Sequence, residues 1–133
     1  MSTSTAMNAY GREAVLTASP AALLVMLCDR LVLDVKRAEL AQTEGRWVDA
    51  HNDLVHAQDI LAELMRSLDV EAWDGAEQLL ATYAYIHQTL VAANIRRSVE
   101  LTREALEFVE PLARTWHEAA QQVAAPSGGS GVG

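Results

Sequence analysis

One stretch of the sequence, from Leu16 to Leu40, limits the possible fold more than any other. It contains a recognisable helix start, because the Ser19 hydroxyl can accept from an unpaired backbone N–H and Pro20 suits the first helical position. Apolar residues then recur at steps of three and four residues, the spacing of one helix face. This row contains Leu24, Leu27, Leu31, Val35 and Ala38. The stretch therefore predicts a long amphipathic helix.

A second apolar row runs beside the first on the same predicted helix. It consists of Leu23, Met26, Leu33 and Leu40, with Arg30 and Arg37 interleaved. A single seam of a helical bundle does not need this much apolar surface. Two interpretations remain open at this point. The helix is either buried against two neighbours through a wide face, or part of an exposed groove that accepts an amphipathic helix from a partner protein.

Composition favours helices and limits the classes of partner. The chain of 133 residues is long enough for one domain, and it is 50% hydrophobic but only 5% aromatic, a balance that favours helices over a sandwich or barrel. Its net charge of −8 argues against nucleic acids and anionic membranes, which attract clustered Lys and Arg. The single cysteine, Cys28, cannot form an internal disulfide and fits a cytoplasmic protein. We expect no membrane insertion, since no apolar run approaches the roughly 20 residues of a spanning helix.

The second predicted helix has the most regular apolar pattern in the chain. The first helix runs from Pro20 to about Thr43, where Gly45 ends it. The second helix begins near Arg46 and ends near Leu68. Its apolar residues follow alternating steps of four and three, the pattern of a seam in an antiparallel bundle. They are Ala50, Leu54, Ala57, Leu61, Leu64 and Leu68.

Two more helices are predicted in the second half of the chain. The third begins at Trp73 or the residue after it and runs to about Asn94, and the fourth begins at Ser98 or the residue before it. Pro111 lies inside the periodic pattern of the fourth helix, so we expect a kink or a split there. The first apolar row of the fourth helix consists of Val99, Leu106, Val109, Ala113, Trp116, Ala120 and Val123. Like the first helix, the fourth carries a second apolar row, which consists of Leu101, Ala105, Phe108 and Leu112.

These helices predict an all-α protein, an antiparallel up-and-down four-helix bundle over residues 18–124. Residues 1–17 precede it as an N-terminal arm, docked or mobile, in which Met7 and Tyr10 are apolar anchors. Residues 125–133 have the Gly/Ser-rich composition of a disordered tail.

The pattern of histidines and glycines predicts no catalytic or metal site. Di-metal bundles use Glu-x-x-His pairs, and only His56 has an acidic residue, Asp53, three positions before it. A histidine phosphotransfer bundle needs an exposed histidine followed by Lys and Gly, which neither His51 nor His56 has. No phosphate-binding loop or nucleophile motif is present. We therefore expect no enzyme activity, no metal and no cofactor.

Five short motifs occur in order along the chain with a spacing that matches one known family. They are Ala9–Tyr10, L-T-A-S-P at 16–20, L-x-M-L-x-D at 24–29, A-Q-D-I-L-A-E-L at 57–64 and Y-A-Y-I-x-x-x-L-V-x-A-N-I at 83–95. Together they resemble the flagellin-specific export chaperones of bacterial flagella, the FliS family. The resemblance spans Met7 to about Ala120. It implies an antiparallel helical bundle with an N-terminal arm, in agreement with the periodicity.

The resemblance also implies a function. Such a chaperone binds the C-terminal region of newly made flagellin in the cytoplasm, prevents premature polymerisation and keeps flagellin competent for flagellar type III secretion. That flagellin segment is an amphipathic helix in the filament, so a long apolar groove would cover its apolar face. The flagellar export gate and other flagellar regulators are further implied partners. Two alternatives stay open: an acidic helical bundle that regulates another flagellar protein, and a histidine phosphotransfer bundle.

The arm and the second apolar rows supply the residues that we expect to bind the partner. They are Met7, Tyr10, Leu23, Met26, Leu33, Leu101, Phe108 and Leu112. The assignment requires that the row containing Leu27 and Leu31 faces the bundle core. An error of one residue in the helical register would exchange the two rows.

Overall fold

The computed structural model describes residues 19–124 and contains four α-helices and no strand within that range. They are α1 (Pro20–Thr43), α2 (Trp47–Ser67), α3 (Ala76–Ile95) and α4 (Val99–Ala124). The predicted all-α, four-helix fold is confirmed. The predicted arm and the predicted Gly/Ser tail lie outside the described residues.

The two ends of α1 follow the local chemistry of the sequence. The Ala22 N–H donates to the Ser19 hydroxyl at 3.2 Å, and Pro20 occupies the first helical position. At the other end Gly45 adopts φ of 73°, a left-handed conformation that a residue without a side chain reaches without strain. The Arg46 N–H then donates to the Ala41 carbonyl at 2.8 Å, which closes the helix end. The predicted bounds of α1 are therefore confirmed.

The helices pack as an up-and-down bundle. Each helix packs against its neighbours in sequence, and α4 also packs against α1, so α1 and α3 lie diagonally opposite each other. Polar side-chain contacts between α1 and α4 show that these two helices are antiparallel. Asp29 near the start of α1 pairs with His117 at 2.7 Å, whereas Glu39 near its end pairs with Arg103 at 2.7 Å.

The core confirms the predicted register of α1 and α2. Leu31, Val35 and Ala38 are fully buried, and Leu24 and Leu27 pack against the core from partly buried positions. The seam residues of α2 from Ala50 to Leu64 are likewise buried, with Ile60 added to them. The second row of α1 is not in the core: Met26 and Leu33 are partly exposed and Leu40 is 54% exposed.

The start of α3 differs from the prediction, since the helix begins at Ala76 rather than near Trp73. The preceding residues form turns instead, in which the Glu71 N–H donates to the Asp69 carboxylate at 3.0 Å. The ring of Trp73 also folds over Gly75, where a β-carbon would lie 2.0 Å from a ring carbon. This local packing stops the helix from extending backwards.

The fourth helix continues through Pro111, so of the two outcomes expected there, a kink or a split, the split does not occur. Pro111 is exposed, so water can hydrate the carbonyl that lacks its usual donor. Its second apolar row is also not a separate surface, because Ala105 is fully buried and Leu112 is only 9% exposed. The inward face of α4 includes members of both predicted rows, since it packs against both α1 and α3.

Candidate functional site

An apolar cavity of about 350 Å³ opens at the end of the bundle where α1 and α3 begin. Its volume lies within the range of about 300–1,000 Å³ typical of ligand pockets. We call it the Trp116 cavity. It is lined by Pro20, Leu23, Leu24, Leu27, Glu63, Leu64, Ser67, Leu68, Tyr83 and Trp116. The predicted partner-binding residue Leu23 therefore lies at a cavity made by all four helices.

Besides Glu63 and Ser67, the lining of this mostly apolar cavity includes the hydroxyl of Tyr83 and the indole N–H of Trp116. Burial raises the pKa of the Tyr83 hydroxyl to about 12, and the neighbouring Trp116 N–H opposes part of that rise. The two groups do not meet the geometry of a hydrogen bond, so the buried Trp116 N–H has no acceptor among residues 19–124. Buried donors are usually paired, and an occupant that brings a carbonyl oxygen to this point would satisfy the indole.

The outward side of α1 carries a row of apolar side chains. Met26, Leu33 and Leu40 are spaced by seven residues and so lie on one helix face. We call them the outer row. All three are at least partly exposed, and Arg30 and Arg37 lie along the same side of the helix. The predicted binding residues Met26 and Leu33 are therefore accessible to a partner.

A pair of exposed aromatic residues marks the seam between α3 and α4. The rings of Tyr85 and Phe108 meet edge to face, with centroids 5.3 Å apart and planes at 68°. The Tyr85 hydroxyl donates to the Glu104 carboxylate. Phe108 is 42% exposed and Tyr85 is 45% exposed. The sequence predicts Phe108 as a partner-binding residue. It does not predict Tyr85, because Tyr85 belongs to none of the predicted apolar rows.

The structure does not bring the predicted binding residues into one groove. Leu23, Met26 and Leu33 belong to α1, whereas Phe108 lies at the α3–α4 seam, where it meets Tyr85 rather than α1. Leu101 is partly buried against the core, and Leu112 is part of the core itself. Met7 and Tyr10 lie outside the described residues. Accessible apolar surface is thus divided between the α1 side and the α3–α4 side.

A second cavity, of about 450 Å³, lies at the opposite end of the bundle. We call it the Trp47 cavity. It is lined by Gln42, Trp47, Val48, Ala50, His51, Asn94, Ile95 and Arg97. The guanidinium of Arg97 lies over the Trp47 ring, 5.3 Å from its centroid. Sequence reasoning did not find this cavity, because its residues come from helix ends that are far apart in the chain.

The buried polar residues near this cavity connect three helices. The Thr102 hydroxyl donates to the Gln42 side-chain carbonyl at 2.6 Å, and the Gln42 amide donates to the Ala93 carbonyl at 3.4 Å. His51 and Asn94 are hydrogen-bonded across the α2–α3 interface. These contacts hold the ends of α1 and α3 and the start of α4 in a fixed arrangement.

Neither a metal cluster nor a membrane span is found in the described part of the chain. Across residues 19–124, no three His, Cys, Asp or Glu side chains lie together in a way that could hold a metal ion. No helix there is long and apolar enough to cross a bilayer.

Comparison with known proteins shows which family this chain resembles. The family model described as "Flagellar protein FliS" matches residues 3–123. The flagellar secretion chaperone FliS of Bacillus subtilis (strain 168) is 28% identical over 128 residues, which cover 93% of this chain and 92% of that protein. The chaperone of the same name from Escherichia coli (strain K12) is 32% identical over 108 residues, covering 80% and 79%.

A solved structure supports the fold independently. A crystal structure of a bacterial flagellar chaperone aligns with a TM-score of 0.71 at 17% sequence identity, covering 87% of this chain and 98% of that one. At this identity the likeness concerns the fold alone. The family match covers nearly the whole sequence, and with the relatives it shows that this chain belongs to the FliS family of flagellar proteins.

Proposed function

We propose that this protein is a flagellar secretion chaperone that binds the C-terminal segment of flagellin in the cytoplasm. Binding covers the apolar face of that segment, prevents premature polymerisation and keeps flagellin competent for type III secretion. Family membership supports the general role. The observation that carries the finer proposal is the Trp116 cavity, an apolar opening with a buried, unsatisfied donor among the described residues.

The cavity suits one part of an amphipathic peptide. Apolar side chains of the peptide would pack against Leu23 and Leu27, and a peptide carbonyl would accept from the Trp116 N–H. Burial of apolar surface is worth about 25 cal/mol per Å², so side chains placed in such a cavity supply much of the binding energy. A backbone acceptor would remove the penalty of the unpaired indole.

The remaining apolar surface would extend the contact beyond the cavity. The outer row offers Met26 and Leu33 along α1, and the Tyr85–Phe108 pair offers a second contact across the α3–α4 seam. These surfaces are separate, so one rigid helix would not cover both. A segment that is unfolded when free and wraps around the bundle would cover them, with its ordering coupled to binding. No nucleotide enters this scheme, because binding energy alone covers the apolar face.

The N-terminal arm contributes to the same surface in this proposal. Pro20 lines the Trp116 cavity and lies three positions after the last residue of the arm, Thr17. The apolar anchors Met7 and Tyr10 would then lie on or near the surface that receives flagellin.

Calorimetry with the cognate flagellin tests the proposal. We expect a one-to-one complex with a large negative heat-capacity change, the sign of extensive apolar burial coupled to folding. A flagellin that lacks its C-terminal region should not bind. Undiminished binding of that truncated flagellin would overturn the proposal.

A matched pair of variants tests the role of the cavity. Trp116→Phe keeps most of the ring volume but removes the indole N–H, so flagellin affinity should fall by about 0.5–1.5 kcal/mol through the lost hydrogen bond. Trp73→Phe removes the same group from an exposed ring outside the cavity and should leave affinity unchanged. Equal affinities in the two variants would show that the partner does not use the Trp116 N–H.

A further inference from the structure

The Trp47 cavity has no part in the proposed binding of flagellin, and it lies at the opposite end of the bundle from the Trp116 cavity. It is formed where α1 and α3 end and where α2 and α4 begin. Its outer edge is apolar and exposed, since Val48 is 75% exposed and Ile95 is 77% exposed. Exposed apolar side chains beside a concave surface are typical of interaction sites.

Two helices end beside this cavity with the same backbone geometry but different residues. At the end of α1, Gly45 has φ of 73° and its N–H donates to the Gln42 carbonyl at 3.1 Å. At the end of α3, Arg97 has φ of 50° and its N–H donates to the Asn94 carbonyl at 3.3 Å. Glycine adopts this conformation freely, whereas a side chain crowds the neighbouring carbonyl. Arg97 therefore occupies a position that glycine would fill with less strain.

The strained residue points to function, because such positions persist where the side chain is needed. The Arg97 guanidinium lies over Trp47 at the cavity. No carboxylate within residues 19–124 forms an ion pair with Arg97 or with its neighbour Arg96. Arg46, the third arginine at this end, is paired with Glu44 and Asp49. Arg97 is therefore the charged residue among the side chains that line the cavity, in a chain whose net charge is −8.

The backbone adds further donors at the same place. The side chain of Arg46, the cap residue of α2, caps none of the backbone N–H groups in the first turn of that helix. The first N–H groups of a helix have no partner within the helix and favour a negative charge. One carboxylate, that of Asp49, already lies in this turn and is held by Arg46. Within residues 19–124, Arg97 is therefore the cationic side chain at the cavity whose guanidinium forms no ion pair.

We propose that the Trp47 cavity is a docking site for a short acidic and apolar segment of a second partner protein. An apolar side chain of the segment enters the cavity against Trp47, Val48 and Ile95. A neighbouring Asp or Glu pairs with the Arg97 guanidinium, which stacking on Trp47 holds in place. Charge complementarity selects an acidic segment over a neutral or basic one.

Titration of the full chain with two blocked synthetic peptides tests the proposal. One peptide consists of Leu and Glu, and the other has every Glu replaced by Gln. The chain has three Trp residues, so their indole N–H signals in a nuclear magnetic resonance spectrum report the location of binding. We expect the Glu peptide to shift the Trp47 signal and to leave the signal of the exposed Trp73 in place. The Gln peptide should bind at least about tenfold more weakly, because it cannot form the ion pair.

Variants separate recognition from folding. Arg97→Gly should bind the Glu peptide about tenfold more weakly while its melting temperature stays equal or rises, because glycine relieves the strained conformation. A purely structural role of Arg97 on Trp47 would instead lower the melting temperature. Arg114→Gln, which removes an exposed charge from α4, is the control for net charge and should bind normally. Ile95→Gln should also weaken binding without unfolding the protein.

Three results would overturn the proposal. The first is the absence of a Trp47 shift with the Glu peptide, and the second is an equal affinity for the Gln peptide. The third is concentration-dependent self-association in sedimentation that Arg97→Gly abolishes, since it would assign the cavity to a second copy of this chain.

Discussion

Asp34 lies buried between α1 and α2, with 1% of its surface exposed, and basic side chains contact both of its carboxylate oxygens. The Arg30 Nε lies 3.0 Å from one oxygen, and the His56 Nδ1 lies against the other. A buried charge of this kind stabilises a fold only while its partners are in place. The same α1 helix also carries an exposed pair, Lys36 with Glu110 at 3.5 Å, which allows a comparison.

Arg30→Ala should lower the free energy of unfolding by about 1–3 kcal/mol, because it leaves the buried Asp34 carboxylate with one partner fewer. Lys36→Ala should change it by less than about 0.5 kcal/mol, since both partners are exposed and hydrated. Urea denaturation of the two variants measures both quantities. Equal effects would mean that Asp34 contributes no more than a surface charge.

Cys28 and Tyr83 make stability sensitive to alkaline pH. Burial, with a smaller contribution from Asp29, raises the pKa of the Cys28 thiol from 9.0 to about 12, and burial raises that of the Tyr83 hydroxyl from 10.0 to about 12. The unfolded chain releases both protons at the ordinary pKa, whereas the native state keeps them. The free energy of unfolding should therefore be unaffected by these groups below about pH 9 and fall as the pH rises towards about 12.

Urea denaturation between neutral and alkaline pH measures this fall. The double variant Cys28→Ala with Tyr83→Phe cannot ionise at either position, so its stability should decline less steeply than that of the natural sequence. Parallel declines in the two proteins would exclude these side chains as the cause.

At the scale of the helices, the sequence determines α1 almost completely and α4 only in part. In α1, the Ser19–Pro20 start, the Gly45 end and one regular apolar row agree with one another. In α4, two adjacent apolar rows differ by a small rotation of the helix. The sequence pattern alone does not determine which row faces inward. In the structure α4 packs against both α1 and α3, so members of both rows face inward.

The candidate site was harder to predict than the helices. Leu23 and Met26 could be selected as candidates from the sequence, because they lie in a second apolar row and one seam of a bundle requires only the first. Neither cavity could be found, since each joins side chains from the ends of several helices. The exposed Tyr85–Phe108 contact could not be predicted either, because it depends on how α3 and α4 are aligned with each other.

Alanine substitutions in the two apolar rows of α1 should have different effects, on stability in one row and on flagellin binding in the other. Leu31 is fully buried, so Leu31→Ala should lower the free energy of unfolding by about 2–5 kcal/mol, through lost transfer energy and a residual cavity. Leu33 and Met26 are partly exposed, and their substitution should cost less than about 1 kcal/mol while flagellin dissociates faster. Thermal melting and dissociation kinetics distinguish the two rows. Loss of stability in all three variants without any change in flagellin release would place the flagellin surface elsewhere.

At the scale of the whole molecule, the bundle separates two cavities along its length. The Trp116 cavity lies where α1 begins and the Trp47 cavity where it ends, a distance of about 36 Å for 24 residues. Because the cavities share no lining residue, occupation of one does not block the other sterically. The arrangement is therefore compatible with both proposals, flagellin at the Trp116 cavity and an acidic segment of a second protein at the Trp47 cavity.

In the proposed function the arm contributes to the surface that receives flagellin, and Tyr10 tests that contribution. Tyr10 lies nine positions before Ser19, so an extended arm carries it up to about 30 Å from the start of α1. Leu33, the middle residue of the outer row, is 13 residues along α1 from Pro20, or about 20 Å. Tyr10 can therefore reach both the Trp116 cavity and most of the outer row.

We expect Tyr10→Ala to change flagellin affinity by about 1–3 kcal/mol, because an aromatic side chain beside the partner gives large contact area for little lost freedom. The melting temperature should move much less, since the core that the structure describes is built from side chains of the four helices. Tyr10→Phe is the matched control: it keeps the ring, so affinity close to that of the natural sequence would assign the effect to apolar contact. A large loss of stability in Tyr10→Ala with unchanged affinity would instead make Tyr10 a core residue that holds the arm against the bundle.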